Sequence, residues 1–430
     1  MIRFMDSLLK VYDSVYNNHM ENLQEIFHLM LNKEYYTEKE LCYGKNAGLF
    51  LSNYAYRCFL DYKKTLLDRN HPSLEKLDLY AWDDKPLFFA KSNDLESSYH
   101  FLEHILRENL SSSWNDEILK SRIYSEIEGS LSIEKVPTTR RKISEITSGK
   151  RKPENGNDVI IKNMGEGIRF VLSKPNFNET NLHILYNILS DGCLSEEDRL
   201  KDGQLYRYDG VEVDNYLGCP VEKIHLAMDS LFSFVEKNLH NPKMKCFLPH
   251  IVHYYLLYVH PYFDYNGRTA RMCSFWVEQL IGEEDTPAVL SEAINQRKNE
   301  YYLALENTRD ARNDLTYFLK YVYVTLSESL LCYENVEHVS QSLQDKDILL
   351  TETEKNYLRK ILLSYKGKFT YNDFEKMAKI DVSKQGALKI LNRFVSYGLL
   401  IPSESNSKSK LFALNVDALS LLSPRLKKYL

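Results

Sequence analysis

Apolar residues recur at three- and four-residue intervals along most of this chain, and that spacing predicts a mostly helical protein. The clearest run is 249–259, where Ile251, Val252, Tyr255, Leu256 and Val259 share one face and Pro249 suits a first helical turn. A second run at 271–281 carries Met272, Phe275, Trp276 and Leu280, so Asn266-Gly267-Arg268 reads as the turn that opens it. Further helices are expected at 4–16, 98–107, 158–172, 179–189, 224–235, 291–305 and 315–330. Another is expected at 113–129, with Ser113-Trp114-Asn115-Asp116 as its cap, Leu119, Ile123 and Ile127 as its stripe, and Gly129 as its stop. The period changes to two only around 203–213, where Asp209-Gly210 predicts a hairpin turn. Residues 139–157 are basic, then rich in Gly, Pro and Asn, and read as a mobile surface loop.

The tail has its own pattern. Helices are expected at 352–365, 370–378 and 384–397, with a tight turn at Asp381-Val382-Ser383. Leu399-Leu400-Ile401 and Lys410-Leu411-Phe412-Ala413 flank a polar loop at 403–410. The order resembles a winged helix-turn-helix, which implies DNA-facing roles for Ser383, Lys384, Gln385 and Lys389 and wing positions for Lys408 and Lys410. Many domains of that type contact only protein. Three units are expected: a helical region at 1–112, a core at 113–335 and the tail at 345–430.

Length and composition narrow the class. A chain of 430 residues with 43% hydrophobic and 27% charged residues is that of a soluble globular protein of two or three domains. The net charge of −5 argues against broad non-specific binding to nucleic acid. The 31 tyrosines are spread throughout and read as packing rings. The seven cysteines lack CxxC spacing, which suggests reduced thiols in the cytoplasm. Asp6 and Asp13 interrupt the first apolar stretches, and no run approaches roughly 18 apolar residues, so neither a signal peptide nor a membrane span is expected. His71, His100 and His104 find no third ligand and read as structural.

Candidate chemistry concentrates at 260–271, His-Pro-Tyr-Phe-Asp-Tyr-Asn-Gly-Arg-Thr-Ala-Arg. A titratable base, a carboxylate, a turn glycine and two arginines sit where one helix ends and the next begins. The free backbone N–H groups of the second helix make that turn an anion site. This stretch resembles the Fic-domain signature HPFx(D/E)GNGRxxR at His260, Pro261, Asp264, Asn266, Gly267, Arg268 and Arg271. Tyr262 stands for the usual Phe, and Tyr265 for the first glycine. A glycine in a phosphate loop supplies φ > 0 or close backbone approach, so Tyr265 is the departure that bears on activity.

The resemblance implies a Fic-type helical bundle with a β-hairpin flap, and transfer of AMP from ATP to a Ser, Thr or Tyr hydroxyl of a protein or of the chain itself. It implies His260 as the base, and Asp264 as the ligand of Mg²⁺ bound with the phosphates. It implies Tyr265, Asn266, Gly267, Arg268 and Arg271 as the phosphate cradle. Residues 203–213 fall where the family carries its flap, placing Gly210, Val211, Glu212 and Val213 beside the nucleotide and target. Asn299-Glu300-Tyr301-Tyr302-Leu303 resembles a late helix whose tyrosines, Tyr301 and Tyr302, approach the base. Tyr124-Ser125-Glu126-Ile127-Glu128-Gly129 resembles the inhibitory motif (S/T)xxxE(G/N), which implies that Glu128 pairs with Arg271 and restrains the enzyme. A catalytically weak or redirected Fic-like core acting as a nucleotide-responsive DNA-binding regulator is the alternative, and a homo-oligomer is compatible with either.

Overall fold

The computed structural model describes residues 22–43, 51–82, 85–110, 116–213, 216–282, 290–364, 367–378, 384–403 and 410–423. The helix expected at 4–16, the cap at 113–115, the turn at 381–383 with Ser383, and Lys408 lie outside these residues; Lys384 is described in its backbone alone. The fold is mostly α, as the periodicity predicts.

Among the described residues three apolar clusters organise it. The largest holds helices Leu248–Val259 and Asn266–Ile281, which pack against each other and contribute Leu256, Val259, Met272 and Cys273 among others to it. Trp276 is fully buried there, its indole N–H donated to the Pro175 carbonyl at 2.8 Å and its ring edge-on to Phe177. Around this pair lie helices Asp116–Ile133, Gly156–Leu172, Glu179–Ser190 and Ile224–Asn238. The helix expected to stop at Gly129 runs on to Ile133. Gly129 is an interior position where the helix meets Leu290–Gln296, and a Cβ there would lie 2.5 Å from the Glu292 amide nitrogen.

Residues 139–157 are also more ordered than their composition predicts. Thr139 caps a helix at Arg140–Thr147, its hydroxyl accepting the Lys142 N–H, and Ile143 and Ile146 anchor that helix in the core. The run expected at 291–305 divides into Leu290–Gln296 and Lys298–Asp310 at Arg297.

The N-terminal region is not wholly helical. Leu74–Tyr80 pairs antiparallel with Pro86–Ala90, Leu74 opposite Ala90. Its second cluster joins the rest through a buried network in which Lys63 and Tyr35 both donate to the Asp314 carboxylate, Tyr35 at 2.6 Å.

The expected break between 335 and 345 falls inside one continuous helix, Thr316–Gln344. Leu326, Leu330 and Tyr333 on it belong to the large core; Cys332, Val336, Val339 and Leu343 belong to the tail's. The tail comprises helices Glu352–Ser364, Tyr371–Ala378 and Lys384–Ser396 and a three-stranded antiparallel sheet. Leu411–Leu414 is its central strand, between Phe369–Thr370 and Leu400–Ser403.

Candidate active site

Helix Leu248–Val259 ends at His260, which takes the left-handed conformation (φ 53°, ψ 63°) and donates its backbone N–H to Leu256. The turn that follows is tied by Asn266. Its side-chain amide donates to the Tyr262 carbonyl at 2.8 Å and accepts the Tyr262 N–H at 3.0 Å. The Asn266 side chain, expected among the nucleotide contacts, is thus committed to the loop itself. Tyr262 is buried at the turn, stacked on Tyr186 at 3.7 Å between ring centroids, with its hydroxyl buried and no hydrogen-bond partner for it among the described residues.

Tyr265 keeps the backbone shape a glycine would give, with φ 67° and ψ 5°. In an L-residue that conformation costs about 1–2 kcal/mol. The ring offsets this: it is buried, and the Arg268 guanidinium lies over it at 3.4 Å from the centroid. Tyr265 and Arg268 therefore buttress the loop from behind. The Tyr265 N–H donates to the Asp264 carboxylate at 2.6 Å, and that carboxylate remains half-exposed at the edge of the cleft.

Arg271, only 2% exposed, points into the same cleft. Its guanidinium donates to Glu134 at 2.6 Å and to the Ser130 hydroxyl at 3.2 and 3.3 Å. This corrects the expected partner. Glu128 is instead paired with Lys360 of the tail at 2.7 Å. Helical geometry explains the difference: Ser130 and Glu134 are four residues apart and share a face, while Glu128 is six residues from Glu134 and points elsewhere. The helix ends at Ile133, and Lys135, two residues on, takes φ 60°, the conformation for which Gly or Asn is suited.

The Glu134 carboxylate lies against the signature turn so closely that a Cβ on Gly267 would sit 2.8 Å from its Oε1. Burial alone would raise this carboxyl. The charge and hydrogen bond of Arg271, with Arg268 and Lys298 nearby, outweigh burial and hold it below the ordinary value. An anion, the chain's own, therefore occupies the position beside Gly267 and Arg271.

One cleft of about 430 Å³ gathers His260, Asp264, Gly267, Arg271, Glu134, Tyr301 and Tyr302, with Val213, Tyr216 and Arg309 on its other walls. Tyr301 turns inward and pairs its hydroxyl with His253 Nε2 at 2.9 Å, whereas Tyr302 is exposed. Among the described residues no group of three His, Cys, Asp or Glu side chains is placed to hold a metal, and Asp264 is the one carboxylate of the signature that lines this cleft.

A hairpin exists in the stretch expected to hold the flap, displaced from its expected turn. Glu212–Val213 pairs with Tyr216–Leu217, Val213 opposite Tyr216, so the chain reverses between 213 and 216. Asp209-Gly210 is no hairpin turn: the Gly210 N–H folds back onto the Asp209 carboxylate at 2.7 Å, and its φ is not positive. Gly210, Val211 and Glu212 do not line the cleft; Val213 does. Sequence reasoning also missed Arg207. It is 2% exposed and donates to the carbonyls of His260 at 2.7 Å, of Asp209 at 2.6 Å, and of Cys219.

His260 has shifted from the near-neutral range. Burial first, and the charge of Arg207 second, lower its imidazole to about 4, against a hydrogen bond with the Leu257 backbone that raises it. The ring is neutral at pH 7 and able to accept a proton.

Residues 177–277, which carry the whole of this turn, match the Fic/DOC family. Among solved structures, the chain is similar to a Fic family protein from Desulfovibrio desulfuricans G20, at 17% identity and a TM-score of 0.47, over 75% of this chain and 96% of that one. Fic-1 (residues 134–508) from C. elegans is similar at 16% identity and a TM-score of 0.46, over 76% and 85%. A Fic-domain-containing signaling protein from Bacteroides thetaiotaomicron is similar at 18% identity and a TM-score of 0.39, over 56% and 95%. No curated protein matches the sequence.

Proposed function

From the Fic/DOC domain that residues 177–277 form, we propose that this chain transfers AMP from ATP to a Ser, Thr or Tyr hydroxyl of a protein or of itself, restrained by Glu134 in place of Glu128. One observation carries the reading: His260, Asp264, Gly267 and Arg271 line a single cleft, and the only carboxylate paired with Arg271 among the described residues is Glu134.

In this reading His260 takes the proton of the attacking hydroxyl. Its low basicity in the free protein rises when anionic phosphates enter beside it, because negative charge favours the protonated ring. Asp264 would hold Mg²⁺, which neutralises phosphate charge when bound. Once Glu134 is displaced, Arg271 collects charge on the leaving pyrophosphate, and Gly267 lets the oxygens approach the N-terminus of helix Asn266–Ile281. The short strand Glu212–Val213 offers main-chain groups to a target segment, and Tyr302 offers a ring face to the nucleotide base.

Incubation with labelled ATP and Mg²⁺ tests the proposal. Label should appear with Glu134→Gly and vanish when His260→Ala is added; no label in any variant overturns it. A second reading, a DNA-binding regulator, is favoured by the exposure of Gln385 and Lys389 on one face of helix Lys384–Ser396. A gel shift lost on Lys389→Ala would support it.

A further inference from the structure

Arg207 lies in the loop that leads into the hairpin, where an arginine ordinarily stays solvated, yet it is buried. Removing a guanidinium from water costs several kcal/mol unless its donors are matched. Here they are matched by backbone carbonyls from three stretches of chain: Asp209 before the hairpin, Cys219 after it, and His260 at the signature turn. The Arg207 backbone N–H adds a fourth tie, to the Pro261 carbonyl at 2.9 Å.

A second observation shows that the surroundings are shaped to admit this side chain. A Cβ on Gly218 would lie 3.0 Å from Arg207 Nη2, 2.9 Å from Val211 Cγ2 and 3.4 Å from His260 Cβ. Glycine therefore makes room where the arginine, the hairpin and the base converge. Two backbone bonds brace the same junction, Gly218 N–H to Val211 and Cys219 N–H to Val259, each at 3.1 Å.

We propose that Arg207 is a positioning residue for His260: one buried guanidinium fixes the backbone of His260 and both ends of the hairpin as a single unit, so that the base and the strand beside it keep a constant relation. A loop staple would need only the Asp209 and Cys219 contacts. The Nε bond to the His260 carbonyl extends the staple to the base itself, beside the backbone ties to Val259 and Pro261. Arg207 also acts on His260 through its charge. The titratable and charged groups that line the cleft with His260 are Asp264 of the signature turn, Tyr216 on the hairpin side, Glu134 and Arg271, and Tyr301, Tyr302, Glu306 and Arg309.

The proposal rests on His260 being the base of a nucleotidyl transfer, and its test separates the two ideas. Arg207→Lys keeps the charge and loses the three-way fork; Arg207→Met loses both. Each is made in the Glu134→Gly background and alone, and the His260 imidazole is titrated by NMR without nucleotide or metal. Arg207→Lys is expected to lower transfer roughly tenfold to a hundredfold, as misplacement of a reacting group does, with the His260 titration nearly unmoved. Arg207→Met is expected to lower transfer similarly and to move that titration upward by about half a unit or more. Transfer and titration unchanged in both variants would overturn the proposal. If Arg207→Met does not fold, Arg207→Lys decides alone: full transfer overturns the positioning role. Should Glu134→Gly itself transfer no label, the functional reading falls and the proposal that rests on it falls too; a Glu134→Gly protein that transfers label, and transfers it equally with Arg207→Lys added, overturns the positioning role alone.

Discussion

Arg271 donates to Glu134, six residues beyond the glutamate that the sequence points to, and the bond places a carboxylate against Gly267 at the head of the signature helix. Neutralising that carboxylate should free Arg271 for another anion. Glu134→Gln is expected to tighten ATP binding about tenfold, the equivalent of about 1.4 kcal/mol. Glu128→Gln, whose parent faces Lys360, should leave the affinity near wild type. Isothermal titration of both variants distinguishes the two glutamates.

The same pair sets a pH dependence. Glu134 has a folded pKa below its ordinary 4.5. Its contribution to stability is therefore present above the unfolded value and lost as pH falls through the folded one. The stability difference between wild type and Glu134→Gln should hold from pH 7 to about pH 5 and shrink toward zero below about 4.5. Urea melts across that range check it; a difference that grows on acidification would contradict the pairing.

Tyr265 joins an unfavourable backbone to a favourable ring. Tyr265→Gly relieves about 1–2 kcal/mol of left-handed strain but removes a buried aromatic, a loss of about 3–5 kcal/mol. Tyr265→Ala suffers the loss without the relief. Both variants are expected to be less stable than wild type, alanine more so by about 1 kcal/mol. Denaturant unfolding gives the order, and alanine equal to or above glycine would show that the strain is negligible.

Gly129 separates a helix stop from a packing position. Were it a C-cap, alanine would strain a left-handed residue at a helix end. It lies inside the helix, and its added Cβ would meet the Glu292 and Ser291 backbone at 2.5–2.7 Å. Gly129→Ala should cost about 1–3 kcal/mol through forced separation of the two helices, and hydrogen exchange should rise across both Asp116–Ile133 and Leu290–Gln296.

The elements around the site were legible wherever apolar period and signature residues coincided. The paired helices Leu248–Val259 and Asn266–Ile281 and the turn between them that carries His260 and Asp264 follow from residues named in the sequence. What escaped did so for local reasons. Glu128-Gly129 imitates the inhibitory motif, while Ser130-x-x-x-Glu134 ends in Lys135, whose left-handed conformation is visible only in the fold. Asp209-Gly210 has the composition of a hairpin turn, but Arg207 holds the Asp209 carbonyl and the reversal moves downstream. Arg207 gave no signal, since its partners are carbonyls that no side-chain pattern encodes. The strands at Leu74–Tyr80 and Pro86–Ala90 were hidden by a bulge that breaks their alternation.

The bond between Glu128 and Lys360 has a thermodynamic corollary. Glu128 lies on helix Asp116–Ile133 and Glu134 is the residue directly after it, the first facing the tail and the second the cleft. Any partner of the tail that prefers one placement of this helix changes affinity at the cleft by some factor. An anion bound at Arg271 must then change the tail's affinity for that partner by the same factor, because coupling between two sites is reciprocal.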